Sequence, residues 1–253
     1  MSVLSPQAAE LAAAVSEREL LRLLGLPRGR ELDGDLAARA GGARAWYVAH
    51  GRPFAGSCRV EVLEVTESVV RLAGGTELHS PDLAASLRAT QGHAVVALAV
   101  SAGREVAAEV DGLWAQERPD EAFFLDRFAT GVTEALVLWA SGALCREASP
   151  AGETLLPPRS PGCGRFEIGD QHRLMQLLGG APACDERLAL GPIELLPTGA
   201  LDPPQSLLAA IGVTRQSLAA ATPEDLCRSC ELEACAFRRA PLARRPQLQL
   251  EGR

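Results

Sequence analysis

The stretch that most restricts the fold is "HAVVALAV", His93 to Val100. Its last seven residues form the longest unbroken apolar run in the chain, and Gly92 and Gly103 bound it. A run this short cannot span a bilayer, which takes about 20 residues as helix. Rich in valine and bounded by glycine, it reads as a strand buried on both faces. Such a strand needs partners along its edges and apolar cover above and below. "CRVEVLEVTESVVRL" supplies strand material: Val60, Val62, Val65 and Val69 to Leu72 predict two strands around a turn near Thr66–Ser68.

Helices can supply the cover. In "SERELLRLLG", Ser16 and Glu19 have capping-box spacing, the leucines make an apolar face, and Gly25 can end the helix. A Gly/Arg-rich connection is expected from Pro27 to Gly42. In "SPDLAASLRA", Ser80 reads as N-cap with Pro81 at the first helical position. "REVAAEVDGLWAQ" and "DEAFFLDRFATGVTEALVLWASGAL" have helical periodicity, and Phe124, Phe128, Val132, Ala135 and Trp139 share one face of the second. A further helix is expected near Asp170 to Leu178. "LGPIELLPTGAL" reads as strand and turn, and "PPQSLLAAIGV" as a short helix opened by Pro203 and Pro204. The predicted class is α+β, a small, largely antiparallel sheet with packed helices. Domain organisation is expected as one unit over residues 1–221, followed by a cysteine-rich segment and basic tail over 222–253.

Charge narrows the choice of partners. The chain carries 32 acidic against 25 basic residues, a net charge of −7, and aromatics are only 4%. A broad attraction to nucleic acid or anionic lipid is not expected, and there is little material for base stacking. The first residues lack a basic n-region, and Gln7 and Glu10 interrupt their apolar stretch, so no signal peptide is read. The expectation is a cytoplasmic protein whose seven cysteines are thiols or metal ligands. His79, His93 and His172 have no partner at metal spacing and are read as structural.

Two motifs can carry chemistry. In "CRSCELEACAFRR", Cys227, Cys230 and Cys235 follow a Cys-x2-Cys-x4-Cys pattern. Three thiolates so spaced can cap a zinc ion or three corners of an iron–sulfur cluster. Cys145, Cys163, Cys184 and His172 could complete the set, and spacing does not choose among them. The second motif is "RSPGCGRF". Arg159 offers a planar fork that suits a carboxylate or phosphate, and the glycines allow backbone to approach a ligand. A helix starting near Ile168 would add its positive end. A Pro/Gly turn with an arginine also serves as a plain connector. Glu134 falls inside an apolar helical run, either at the edge of the buried face or paired with a cation. No P-loop, dinucleotide fingerprint or nucleophile elbow is present.

In order, these segments resemble the activation (reactivation) domain of cobalamin-dependent methionine synthase, in its stand-alone form with a C-terminal cysteine motif. "ELLRLLGLPRG" is similar to the family's N-terminal helix, and the stretch from Leu78 to Val110 to its helix, strand and helix. "FLDRFATGVTEALVLWA" resembles its long helix with a central acid, "PPRSPGCGRF" its Arg-x-x-x-Gly-Tyr ligand turn, and Pro203 to Ser206 its Pro-x-x-Ser element. The resemblance implies an S-adenosylmethionine-binding activator that supports reductive methylation of cobalamin on a partner corrinoid-dependent methyltransferase, with an electron donor. It implies that Arg159 clamps the methionyl carboxylate, that Pro161, Gly162 and Cys163 lie against the ligand, and that Glu134 meets a positive part of it. Cys163 stands where the family has tyrosine. The alternative is a metal- or iron–sulfur-carrying redox or interaction protein on the same fold, with Cys227, Cys230 and Cys235 as the working part.

Overall fold

Strand β5 (Ala94–Ser101) is fully buried along its whole length, as its composition requires. It pairs antiparallel with β2 (Phe54–Val65) on one edge and β11 (Ser206–Thr214) on the other. Strands β3 (Val69–Leu72), β4 (Glu77–His79), β6 (Thr154–Leu155) and β1 (Ser2–Leu4) complete a sheet ordered β4-β3-β2-β5-β11-β6, with β1 against β2. Every pairing is antiparallel. The first two thirds of β2 pairs with β5, and its end, from Val62 on, pairs with β3 across an irregularity between Val62 and Glu64. The computed structural model describes residues 1–27, 30–182, 187–218, 227 and 238–240.

Period-two alternation divides the core in two. Val96, Leu98, Val100, Ile211 and Val213 face one cluster, together with Tyr47, Phe124, Phe128, Val132 and Leu136. Its cover is α1 (Ala8–Ala14), α2 (Glu17–Leu23), α3 (Gly34–His50), α5 (Arg104–Ala115) and α6 (Pro119–Ala148). Val95, Ala97, Ala99, Leu208 and Ala210 face the other cluster, under α4 (Pro81–Thr90) and α7 (Asp170–Leu177). A meander of β7 (Ala181–Pro182), β8 (Leu188–Leu190), β9 (Ile193–Leu195) and β10 (Leu201–Asp202) adds Leu190, Ile193 and Leu195 to that side. Each large aliphatic buried here contributes about 1.5–3 kcal/mol, whereas an exposed pair such as Arg71–Glu64 is screened by solvent and adds little. The two sheet faces therefore outweigh the surface ion pairs.

Helix α6 is long and apolar enough to cross a membrane by length and composition, but half of its most apolar window is buried in the protein. It packs against α3, α5 and β5 as a core helix. Ser80 caps α4 as expected, its hydroxyl accepting from Leu83 N–H at 3.2 Å.

Two expectations are corrected. "PPQSLLAAIGV" is not a helix. Pro203 and Pro204 precede strand β11, which pairs with β5 from Ser206 to Val213. Leucine and alanine favour helix locally, but a short run apolar on both faces has no amphipathic stripe, and the open edge of β5 decides its conformation. The Gly/Arg-rich connection is also helical from Gly34 onward. Ala40, Ala43 and Tyr47 form its buried stripe, and a Cβ at Gly41 or Gly42 would meet nothing within 4 Å. Small residues hid that stripe. Tyr47 Oη donates to Ala102 O at 3.0 Å, and burial, with Glu105, raises its pKa.

Glu153 ties the chain before β6 to the central strands. It accepts from Arg59 at 2.6 and 2.8 Å and lies 2.9 Å from His93 Nε2. Arg59 first, then His93, pull its carboxyl from 4.5 down to about 2. A depressed carboxyl stabilises the fold above its unfolded pKa, and the contribution is lost as pH falls toward the folded value. Glu153→Gln should lower the melting temperature at neutral pH. It should also shrink the loss between neutral pH and about pH 3, as read by circular dichroism.

Candidate functional site

The chain after β6 keeps running beside β11. Leu156 N–H donates to Gly212 O at 2.8 Å, and Arg159 and Ala210 exchange backbone bonds of 2.9 and 2.8 Å. Arg159 is thus held by its backbone, and its side chain is not needed for the ladder. Its Nε is buried and has no hydrogen-bond partner among the described residues.

The turn that follows is closed from within. Gly162 N–H donates to Phe166 O at 2.9 Å, Cys163 N–H to Ser160 O at 3.0 Å, and Phe166 N–H to Cys163 O at 3.3 Å. Gly162 and Gly164 have φ of +82° and +60°, left-handed values that side chains with a Cβ resist. Pro161 and Phe166 are buried, whereas Gly162, Cys163 and Gly164 are exposed. Phe166 anchors the turn in the second core cluster. A Cβ at Gly162 would lie 3.0 Å from Ile168 Cδ1, and one at Gly164 would lie 2.8 Å from Asp82 Oδ2.

Asp82, in the first turn of α4, fixes the turn from outside. It accepts from Arg165 N–H at 3.3 Å, Nε at 3.0 Å and Nη2 at 2.6 Å. Burial raises its carboxyl, but the bonds to Arg165 outweigh this and hold the pKa below the ordinary value. The anchor went unread in the sequence because Arg165 and Asp82 lie far apart along the chain. The only local signals were an acid at a helix start and an arginine after a glycine.

Helix α7 starts at Asp170, as expected, so its N-terminus lies two residues beyond Ile168. Asp170 is fully buried and accepts from His79 N–H and Arg173, with His79 Nδ1 at 3.4 Å. His79, Glu167 and Asp170 place donor atoms within 4.8 Å of one another. Asp170 is already committed to His79 and to the Arg173 guanidinium, so the cluster staples α7 to the end of β4.

Glu134 joins a different set of residues. On α6 it accepts from Arg22 of α2 and, at 2.5 Å, from Arg239 Nη2. Glu19 meets the same two arginines, at 3.0 and 3.1 Å. No contact between Glu134 and Arg159 occurs among the described residues. The placement fits the edge of the buried face, and the cations are the chain's own. The chain contains no lysine, so every such pair uses the directional guanidinium fork.

Of the cysteine motif, Cys227 is described, while Cys230 and Cys235 lie outside the described residues, as does Cys184. Cys227 Sγ accepts Arg239 N–H at 3.4 Å, and its carbonyl accepts from Arg238 Nη1. Cys145 lies on α6 and Cys163 in the exposed turn.

The architecture is that of an α+β protein with helices on both faces of an antiparallel sheet. Among solved structures it matches the crystal structure of the MetH reactivation domain bound to AdoHcy, with a TM-score of 0.63 over 87% of this chain and 80% of that one. Sequence identity is 13%, so the likeness establishes the fold. No family model matches the sequence, and no curated protein matches it.

Replacing Asp82 with Asn should loosen the turn, because a neutral amide loses the charge-assisted pair with Arg165. Because Arg165 is half exposed, the loss should be about 0.5–1 kcal/mol, with faster amide exchange at 162–166, measured by urea unfolding and hydrogen exchange.

Proposed function

We propose that the chain binds S-adenosylmethionine at the Arg159–Cys163 turn and acts as an activator of a corrinoid protein. The observation that carries this reading is the buried, unpartnered Nε of Arg159 beside a glycine turn, on a fold that in a solved structure holds AdoHcy. The residues suit the ligand. Arg159 offers a carboxylate its fork, and Gly162 presents bare backbone next to the exposed Cys163. Ile168, 53% exposed beside Gly162, gives an apolar contact. The ligand supplies the methyl group for reductive methylation of cobalamin on a partner methyltransferase, and an electron donor supplies the electron. This chain's share is to hold the ligand in one orientation, and a thiol at Cys163 replaces the ring contact the family has there. For Glu134 to meet the ligand's positive part, the ligand would have to exchange with Arg22 or Arg239, which hold that carboxylate. The reading places the protein in the cytoplasm, with residues 222–253 as a separate cysteine-bearing segment.

Calorimetric titration with S-adenosylmethionine tests the proposal. Saturable binding is expected, and Arg159→Ala should weaken it about 10- to 100-fold with little change in melting temperature, since the ladder to Ala210 uses backbone only. No heat at millimolar ligand would sink the reading.

A second reading is supported by the N–H directed at Cys227 Sγ. Cys227, Cys230 and Cys235 then hold zinc or an iron–sulfur cluster, which could also deliver the electron. Anaerobic purification followed by metal analysis and visible spectroscopy should show bound metal, lost in Cys227→Ser. Metal-free protein with all three thiols open to alkylation would remove this reading.

A further inference from the structure

The side chains that staple α7 to β4 also form a set of metal-ligand type, outside the Arg159–Cys163 turn. His79 Nδ1 and one carboxylate oxygen each from Glu167 and Asp170 lie within 4.8 Å of one another. Backbone fixes all three carriers. Glu167 N–H donates to His79 O at 3.1 Å, Asp170 N–H donates to Glu167 O at 3.2 Å, and His79 N–H donates to Asp170 Oδ2. The remaining oxygen, Asp170 Oδ1, stands 3.4 Å from His79 Nδ1. A charge-assisted hydrogen bond is shorter, about 2.7–2.9 Å. Two ligands on one ion, by contrast, fit this spacing: tetrahedral bonds of about 2.1 Å place their donor atoms about 3.4 Å apart. Glu167 brings a second carboxylate beside the fully buried Asp170. Its side chain has no hydrogen bond or ion pair among the described residues. A staple of His79, Asp170 and Arg173 has no use for Glu167, and two like charges this close call for a cation. Arg173 supplies positive charge by pairing with Asp170, through a side chain 40% exposed.

We propose that His79, Glu167 and Asp170 bind a divalent transition-metal ion of the zinc or manganese class, completed by water. The ligand types set the class. One imidazole nitrogen and two carboxylate oxygens suit Zn2+ or Mn2+ and offer nothing to a soft ion such as Cu+. Three protein ligands leave a position for water, and Glu167 is exposed and His79 partly so, which gives an ion its way in. Arg173 marks where positive charge is wanted. An ion with two charges and three ligands outcompetes one guanidinium, and the long arginine side chain moves to solvent. Bound there, the ion clamps Glu167. Its neighbour Phe166 closes the glycine turn by accepting from Gly162 N–H at 2.9 Å, so the ion steadies the far end of that turn. None of this rests on the S-adenosylmethionine reading, and the set shares no residue with the cysteine motif.

Manganese binding to the full chain, stripped of metal with a chelator, tests the site. Free Mn2+ is read by electron paramagnetic resonance. Manganese is the probe because it prefers oxygen and imidazole to the thiolates of the seven cysteines. One Mn2+ per chain should bind saturably. Glu167→Gln, at an exposed position, should weaken binding at least about tenfold, and Cys227→Ser should leave it unchanged. Arg173→Gln should tighten binding about fivefold, because the competing charge is gone. That variant should also melt lower without metal and regain the loss with Mn2+. The metal site is overturned by no saturable binding up to millimolar Mn2+, by binding indifferent to Glu167→Gln or lost in Cys227→Ser, or by an Arg173→Gln variant that binds no tighter. Amide exchange at 162–166 should slow with Mn2+ in the wild type and not in Glu167→Gln. Equal exchange with and without Mn2+ would overturn the clamp on the turn.

Discussion

The pairing of β5 with β11 is the constraint on which the remaining structure depends. Seven residue pairs between Leu207–Val100 and Val213–Ala94 place small and branched side chains on alternate faces. On the face under α4, the sheet offers Ala97, Ala99 and Ala210 with Gly212 beside them. That smallness lets Leu87 reach the sheet: a Cβ at Gly212 would fall 2.9 Å from its Cδ2, and one at Gly92 2.3 Å. On the other face, larger Val96, Leu98 and Ile211 meet α6. One strand pair thus sets how near each helical layer lies.

The same pair positions the Arg159–Cys163 turn. Arg159 takes its place from Ala210, so the turn inherits the rigidity of a central strand and not that of a loop. Asp82 and Phe166 then fix the turn's far side, one by charge and one by burial. A site built this way can keep exposed glycines in left-handed geometry without losing definition, because the flanking residues are anchored at both ends. Arg239, by contrast, reaches carboxylates on two helices, Glu19 of α2 and Glu134 of α6.

Much of this was legible in the chain. The Ser80–Pro81 helix start, the glycine-bounded strand and the turn near Thr66 each carry their instruction within a few residues, as capping chemistry, hydrophobic run and turn composition. Helix α6 is visible through its apolar face, although its burial extends to Leu125 and Val137 beyond the predicted stripe. Strand β11 is not legible because leucine and alanine in a short apolar run state no periodicity, and α3 is not because alanine and glycine show little contrast between faces.

The sequence by itself determined the class of the protein. Local signals named an antiparallel α+β fold, a Pro/Gly turn with Arg159 at its head and a cysteine motif near its end. Which residues meet across the chain was decided only by the tertiary structure: Asp82 with Arg165, Asp170 with His79, and Glu134 with Arg22 and Arg239. The physical reason is range. Caps, turns and periodicity act between near neighbours, whereas an ion pair is specified only when packing has brought its two carriers to hydrogen-bonding distance and excluded water from around them.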